Sequence, residues 1–218
     1  MMRLHLGCGE RHLQGYINID LPRTEHPVQQ KDCTDVHGNI MTLSYPAGSI
    51  EEVRLHHVFE HFPRPIACAF LASWNSWLCR DGVLHIEVPD LDTLVTALAN
   101  PDPTMKGISV AERHIFGSHE ASWAVHYEGY TEKMLSLFLE EFGFKVTTIN
   151  KNCWKGTQNI EILAKKVASL SRDACRANAE RYLQNYLLDD SVSEKILLSV
   201  WMQHFDDQIA VSFSHTSS

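Results

Sequence analysis

The chain has 218 residues, 44% of them apolar and 21% charged, the balance of one globular α/β domain with some length to spare. A formal net charge of −8, with no cluster among the 19 Lys and Arg, argues against a large nucleic-acid footprint. No apolar run reaches membrane length, charged residues interrupt the N-terminus at once, and the six cysteines lack paired spacing. The expectation is a protein of the reducing cytoplasm, without signal peptide, membrane contact or disulfide framework.

Leu4 and Leu6 fit a short buried strand. Gly7 and Gly9, flanking Cys8, let the backbone turn sharply and approach a ligand closely. Tyr16–Asp20 is a second β-type run, and it ends on a carboxylate placed to accept bonds from two ribose hydroxyls. This is the mononucleotide-binding half of an α/β sheet, with its ligand at the carboxyl ends of the strands. A nicotinamide dinucleotide and S-adenosylmethionine both fit such a unit. The dinucleotide fingerprint G-x-G-x-x-G/A fails, because His12 holds its third small position. S-adenosylmethionine has no phosphate to need it.

With Gly7-Cys8-Gly9 the chain resembles the Rossmann-like S-adenosylmethionine-dependent methyltransferases, whose first motif commonly contains Gly-Cys-Gly. The resemblance implies S-adenosylmethionine as cofactor, with Gly7, Cys8, Gly9 and Asp20 around it. Two departures stand out. His5 occupies the place of an acid usual two residues before the first glycine. Asp20 follows Gly7 by only 13 positions, against about 20 in dinucleotide folds, so the first helix shrinks to a turn or two near Glu10–Gln14.

A third strand is predicted within Val28–Val36. The stretch from His37 to Val53 resembles the family's acidic loop, in which an Asp contacts the adenine amino group and the next apolar residue packs on the ring. Asn39 and Ile40 take those places, and the Asn carbonyl oxygen can still accept. Asn39 is equally readable as part of a plain solvent loop. Val53–His56 is a fourth strand. His57-x-x-Glu60-His61 matches the inverted zinc-protease pattern H-x-x-E-H, but Pro63 and Pro65 stop the segment before a ligand-bearing helix can form. The same string resembles the methyltransferase segment His-x-Leu-Glu-His, which places His57 at the methionine end of the cofactor. No metal is expected there.

Pro65 opens an amphipathic helix through Leu78 that Gly82 terminates, and Val83–Asp90 is the fifth strand with its exit. Asp90 or Asp92 caps a helix through Ala99, closed by Pro101 and Pro103. Residues 100–130 lack clear periodicity yet carry Ile115, Phe116 and Trp123. A long irregular stretch of this kind reads as a functional lid, hinged by Pro101, Pro103, Gly107 and Gly117. It contains His126, the first candidate base because an unperturbed His titrates near neutral pH, with His57 and His119 in reserve. His126 is equally readable as structural.

Glu132–Phe142 is a helix ended by Gly143, and Phe144–Ile149 and Ile160–Lys165 are two final strands. This ending resembles the antiparallel hairpin that finishes the family's sheet. The chain is closest to a subgroup with Leu-x-Leu-Gly-Cys-Gly, Gly-Tyr-x-Asn-hydrophobic-Asp and His-x-x-Glu-His, often associated with sugar and cell-surface polysaccharide enzymes. The fold expected is therefore an α/β, Rossmann-like doubly wound sheet, mostly parallel, over residues 1–168. A C-terminal helical extension follows over 169–218. It holds a helix near Arg172–Leu188, then a capping box at Ser191 and Glu194 before Ile196, Leu197, Val200, Trp201 and Phe205 on one face. These helices pack on the main domain or form a homodimer contact.

The function this supports is methyl transfer to an oxygen or nitrogen of a small-molecule acceptor, a sugar or natural-product intermediate among the options. His5 and Asn39 in place of acids motivate an alternative, a non-catalytic cofactor- or partner-binding module. A nicotinamide oxidoreductase is the third reading.

Overall fold

The computed structural model describes residues 1–99, 104–154 and 156–212. Its sheet contains strands β1 (Met2–Leu6), β2 (Ile17–Asp20), β3 (Val36–His37), β4 (Ile50–His56), β5 (Leu78–Pro89), β6 (Phe144–Trp154) and β7 (Thr157–Lys166). The helices are α1 (Arg64–Trp77), α2 (Leu91–Ala99), α3 (Met105–Phe116), α4 (Glu132–Glu141), α5 (Arg172–Gln184) and α6 (Val192–Ser212). The strand order is β3-β2-β1-β4-β5-β7-β6. β1 to β5 run parallel, and β7 is antiparallel to both β5 and β6. The order reverses between β1 and β4, which opens a crevice at their carboxyl ends.

Strand alternation sorts side chains into two faces. Leu4, Leu6, Ile19, Val53, Leu55, Leu84, Ile86, Ile160 and Ile162 are fully buried. They form one core with Trp74 and Trp77 of α1, Phe138 of α4, Leu183 of α5 and Phe205 and Ile209 of α6. Each such aliphatic side chain removed from water contributes about 1.5–3 kcal/mol. The C-terminal helices thus share the core of the sheet domain. The buried face of α6 runs through Met202, Phe205 and Ile209, whereas Ile196 and Val200, expected on that face, are exposed. Both helices pack on α1, and that contact fixes which way α6 turns.

The opposite face is polar. Cross-strand pairs set His5 beside Arg54, Arg54 beside His85, His56 beside Glu87, and Glu87 beside Glu161. His85 Nε2 meets Glu161 at 2.7 Å and Arg54 meets the same carboxylate at 3.7 Å. The first two crossovers bring no α-helix to this face. The short helix expected near Glu10–Gln14 does not form. The link is held instead by Asn18, which accepts from the Leu13 N–H at 2.9 Å and donates to the Leu13 carbonyl at 3.1 Å. The third strand, expected within Val28–Val36, forms only at Val36–His37, because the stretch before it is tied to side chains, as where the Asp35 carboxylate accepts from the Asn18 N–H at 2.9 Å.

Other boundaries differ from expectation: β5 starts at Leu78 rather than Val83, and β6 runs on to Trp154 rather than ending at Ile149. α1 ends at Trp77 rather than near Gly82, because Leu78 turns extended to pair with Ile50 and bury its side chain. Residues 105–116, expected to be irregular, form α3. Thr104 caps it by accepting from the Gly107 N–H, and Gly117 ends it at φ 94°. Only Ala111 of this helix is buried, so no core-facing apolar stripe marks it in the sequence. Pro101 and Pro103 lie outside the described residues, as do residues 213–218.

Candidate functional site

A cleft of about 1110 Å³ opens at the carboxyl ends of β1, β2, β4 and β5. Gly7, Cys8, Gly9, Asp20, Asn39, Ile40, His57 and His126 all line it. The site residues expected from the sequence therefore converge, apart from the reserve His119, which is exposed and bonds the Phe116 carbonyl through Nε2 at 3.0 Å.

Gly7 adopts φ 65°, and a Cβ there would stand 2.4 Å from the Val58 side chain, so only glycine lets β1 turn under the segment that leaves β4. Gly9 follows at φ 54°, and its N–H donates to Asp20 Oδ2 at 2.6 Å. The other Asp20 oxygen accepts from the Leu21 N–H at 2.7 Å and faces His26 Nε2 at 3.1 Å. The carboxylate is thus held rigidly at the strand tip. Burial pushes the neighbouring Cys8 thiol up to about 11, so it is a neutral wall of the turn rather than a nucleophile. His5 is buried behind the loop with Nδ1 at 3.0 Å from Asn18, and burial lowers it to about 4. A neutral imidazole therefore replaces the acid usual at this position.

Asn39 caps a single 3-10 turn, Ile40–Thr42, by accepting from the Met41 N–H at 2.9 Å. One lone pair of its carbonyl oxygen is used locally, and a second remains for a ligand. α6 braces the same loop: the Gln208 side chain donates to the Met41 carbonyl at 2.8 Å, and the Ser44 hydroxyl donates to the Ser212 carbonyl at 2.6 Å.

The far half of the cleft is built of histidines and buried acids. His57 sits at φ 52°, a strained conformation for a non-glycine residue, with Nδ1 at 3.4 Å from Glu60 and Nε2 at 3.6 Å from Glu87. Burial opposes its protonation, but the two carboxylates outweigh that and raise its pKa. Glu60 is fully buried; burial pushes its carboxyl up, and His57, with His61 and His126 adding to it, more than offsets this, so it stays ionised. The His57–His61 segment is a single 3-10 turn at Phe59–His61, so the inverted zinc-protease pattern lacks its helix. Burial lowers His126, whose ring stands 4.7 Å from that of His61 at 76°. The hairpin adds Asn152, Trp154 and Thr157 to the lining.

Glu87, held down to about 2 chiefly by its bond to His56, was missed in the sequence. The signal was there: His85 and Glu87 alternate with Leu84, Ile86 and Val88 in a central strand, a pattern a two-sided buried strand would not show.

The segment after α3 closes over the cleft. Trp123 Nε1 donates to the Glu25 carbonyl at 3.0 Å, and its ring meets His26 edge-on at 4.9 Å. His26 in turn touches Asp20, so the cover reaches the expected ribose site.

No protein-family model matches the sequence, and no curated protein matches it. Solved structures do. A methyltransferase of Methanosarcina mazei, described as S-adenosylmethionine-dependent, aligns over 76% of this chain and 92% of its own at 15% identity and a TM-score of 0.51. The fold is that of the Rossmann-like methyltransferases. The 1,6-didemethyltoxoflavin-N1-methyltransferase of Burkholderia thailandensis, solved with 1,6-didemethyltoxoflavin and S-adenosylhomocysteine, aligns over 77% of this chain and 71% of its own at 15% identity and a TM-score of 0.50. A putative methyltransferase of Haloferax volcanii, in complex with its Trm112 activator, aligns over 78% and 84% at 12% identity and a TM-score of 0.52. No helix among the described residues is long and apolar enough to cross a membrane.

Proposed function

We propose that the chain is an enzyme that transfers a methyl group from S-adenosylmethionine to an oxygen or nitrogen of a small molecule. The observation that carries this reading is the link between β1 and β2. It keeps the Gly7–Gly9 turn and the Asp20 carboxylate but contains no helix. A dinucleotide needs a helix N-terminus to meet its pyrophosphate, and a sulfonium nucleoside does not. In this reading Asp20 takes the ribose hydroxyls, Asn39 and Ile40 border the adenine, and Cys8 and His57 line the path to the methionine end.

The acceptor lies between His57, His126 and the β6–β7 hairpin, under the cover formed by residues 117–126. The donor is already activated, so the protein positions the acceptor, excludes water and removes a proton. His57 is the better-placed base, flanked by Glu60 and Glu87; His126 is the second candidate. A sugar or natural-product intermediate suits a cleft with so many polar groups. All six cysteines are free, which fits a cytoplasmic setting.

A second reading, binding of cofactor or partner without catalysis, is favoured by one observation: a buried neutral imidazole, His5, and an amide, Asn39, stand where the resemblance leads one to expect acids. A thermal scan tests both. At a hundredfold excess over its dissociation constant a ligand adds about 2.7 kcal/mol, and each kcal/mol moves the melting point of a domain this size by about 2–4 °C. S-adenosylhomocysteine should give such a shift and NAD none. The reverse would overturn the cofactor, and a shift without methylation of any acceptor in a metabolite extract would favour the binding module.

A further inference from the structure

We infer that Glu60, His61 and His126 form a binding site for one divalent transition-metal ion. These residues come from two separate segments, the turn after β4 and the cover after α3. One ligand atom from each lies within 4.8 Å of the others. The segments are tied together at that point: the N–H groups of Tyr127 and Glu128 donate to the Glu60 carbonyl at 2.9 and 3.2 Å.

The tautomers are set by the backbone. His61 Nδ1 stands 3.1 Å from the Val125 carbonyl, and His126 Nδ1 stands 3.1 Å from the His114 carbonyl. A carbonyl can only accept, so each Nδ1 carries the proton and each Nε2 presents a lone pair. Fixing one ring nitrogen on a carbonyl so that the other can ligate is how metal-bound histidines are held. The third group points to a ligand independently. Glu60 is 1% exposed, and neither of its carboxylate oxygens has a hydrogen-bond partner among the described residues. Its nearest counter-charge among the described residues, His57, stays 3.4 Å away, so a cation seated between the carboxylate and the two imidazoles would satisfy what that contact leaves open.

His57 approaches Glu60 only at 3.4 Å, beyond a good charge-assisted bond. It is therefore not counted among the ligands, and the set differs from the H-x-x-E-H pairing of His57 with His61. Two imidazoles and one carboxylate suit zinc, iron(II) or cobalt(II) rather than calcium or magnesium. Metal–ligand bonds of about 2.0–2.2 Å require the three groups to draw slightly closer on loading. Three protein ligands leave a coordination position open, the mark of a reactive rather than a structural site. His61 and His126 both line the cleft, so that position faces it. Binding of the ion does not depend on the methyl-transfer reading; only its use as a Lewis acid on an acceptor would.

The test is cobalt(II) titration of the full chain after removal of metal by a chelator, read by visible ligand-field absorption and native mass spectrometry. One equivalent should bind, and zinc should raise the melting point. His61→Ala and His126→Ala should each weaken cobalt binding by about a hundredfold or more, while His57→Ala leaves the spectrum in place. His126→Gln, with its fold checked by circular dichroism, guards against a folding defect. Failure of the unmodified chain to bind cobalt or zinc overturns the site. So does equal binding by His126→Gln, or loss of the spectrum in His57→Ala. S-adenosylhomocysteine stabilisation is measured on the same samples, so failure here is separable from failure of the cofactor assignment.

Discussion

The two halves of the cleft are built on different terms. Around Asp20 both carboxylate oxygens have donors, supplied by the turn at Gly9, the next residue and His26. Around Glu60 neither oxygen has one among the described residues, and His57 Nε2 also lacks a hydrogen bond there, with Glu87 no nearer than 3.6 Å. The first half is finished by the chain itself. In the second, buried charge is held without full satisfaction, on a residue turn that is itself strained at His57. Proteins keep such arrangements where chemistry needs them, at a cost in stability. The contrast separates a binding half, set by backbone geometry, from a reactive half, set by side chains.

Substitutions in the reactive half should affect turnover most. His57→Ala should lower methyl incorporation from labelled S-adenosylmethionine into a small-molecule extract by about a hundredfold or more, and His126→Ala should also lower it, whether His126 acts as the second candidate base or holds the ion. Either should disturb S-adenosylhomocysteine affinity less than changes in the binding half do. Next in size, Asp20→Ala should weaken that affinity about ten- to a hundredfold, since bonds to a charged group are worth roughly 1.5–3 kcal/mol. Calorimetry that finds Asp20→Ala neutral and His57→Ala damaging to affinity would erase the division. Smaller again is Trp123→Ala. It removes an aromatic contact worth about 0.5–1.5 kcal/mol, so cofactor affinity should fall by roughly two- to tenfold. Amide exchange over residues 117–126 should rise with it, and unchanged exchange would mean that the cover is held by other contacts.

The same division explains what could be read in the sequence. The binding half is local: two glycines, a strand and an acid lie within one short stretch, and the turn geometry demands those residue types. The mostly parallel sheet and its closing antiparallel hairpin are what the resemblance to the Rossmann-like methyltransferases implies, while the strand order is visible only in the structure. The reactive half is assembled from residues far apart. His126 meets His61 only because the Glu60 carbonyl binds two N–H groups 67 and 68 positions on. No periodicity marks such a bond. α3 was hidden because an exposed helix needs little apolar patterning, and its cap at Thr104 is a single residue. The bare polar face was not read from the sequence: the alternation at His85 and Glu87 carries a signal for it, but the missing helix after Gly9 depends on Asn18 bonding Leu13.

An effect on stability rather than on activity or affinity sharpens the binding half. His5 is 1% exposed, and burial lowers its pKa to about 4 from an ordinary 6.5, with Arg54, His56 and Arg11 also opposing its charge and Asn18 favouring it. The unfolded chain therefore takes up this proton first as pH falls. Stability should drop from pH 6.5 towards pH 4 and level off below, because the unfolded state binds more protons throughout that window. Between pH 7 and pH 5 the loss attributable to His5 is about 1–2 kcal/mol. Glu128 works the other way. Burial raises it to about 7, so its contribution grows as pH falls over part of the same range. The net slope of the unmodified protein thus mixes two signs and decides little. His5→Asn removes one term and leaves the other, so the comparison isolates it. Urea unfolding of both proteins at pH 7 and pH 5 should show the unmodified chain losing more than the variant. Parallel losses would mean that the imidazole takes up its proton as readily in the folded chain as in the unfolded one, and that the strand behind the glycine turn does not require a neutral group.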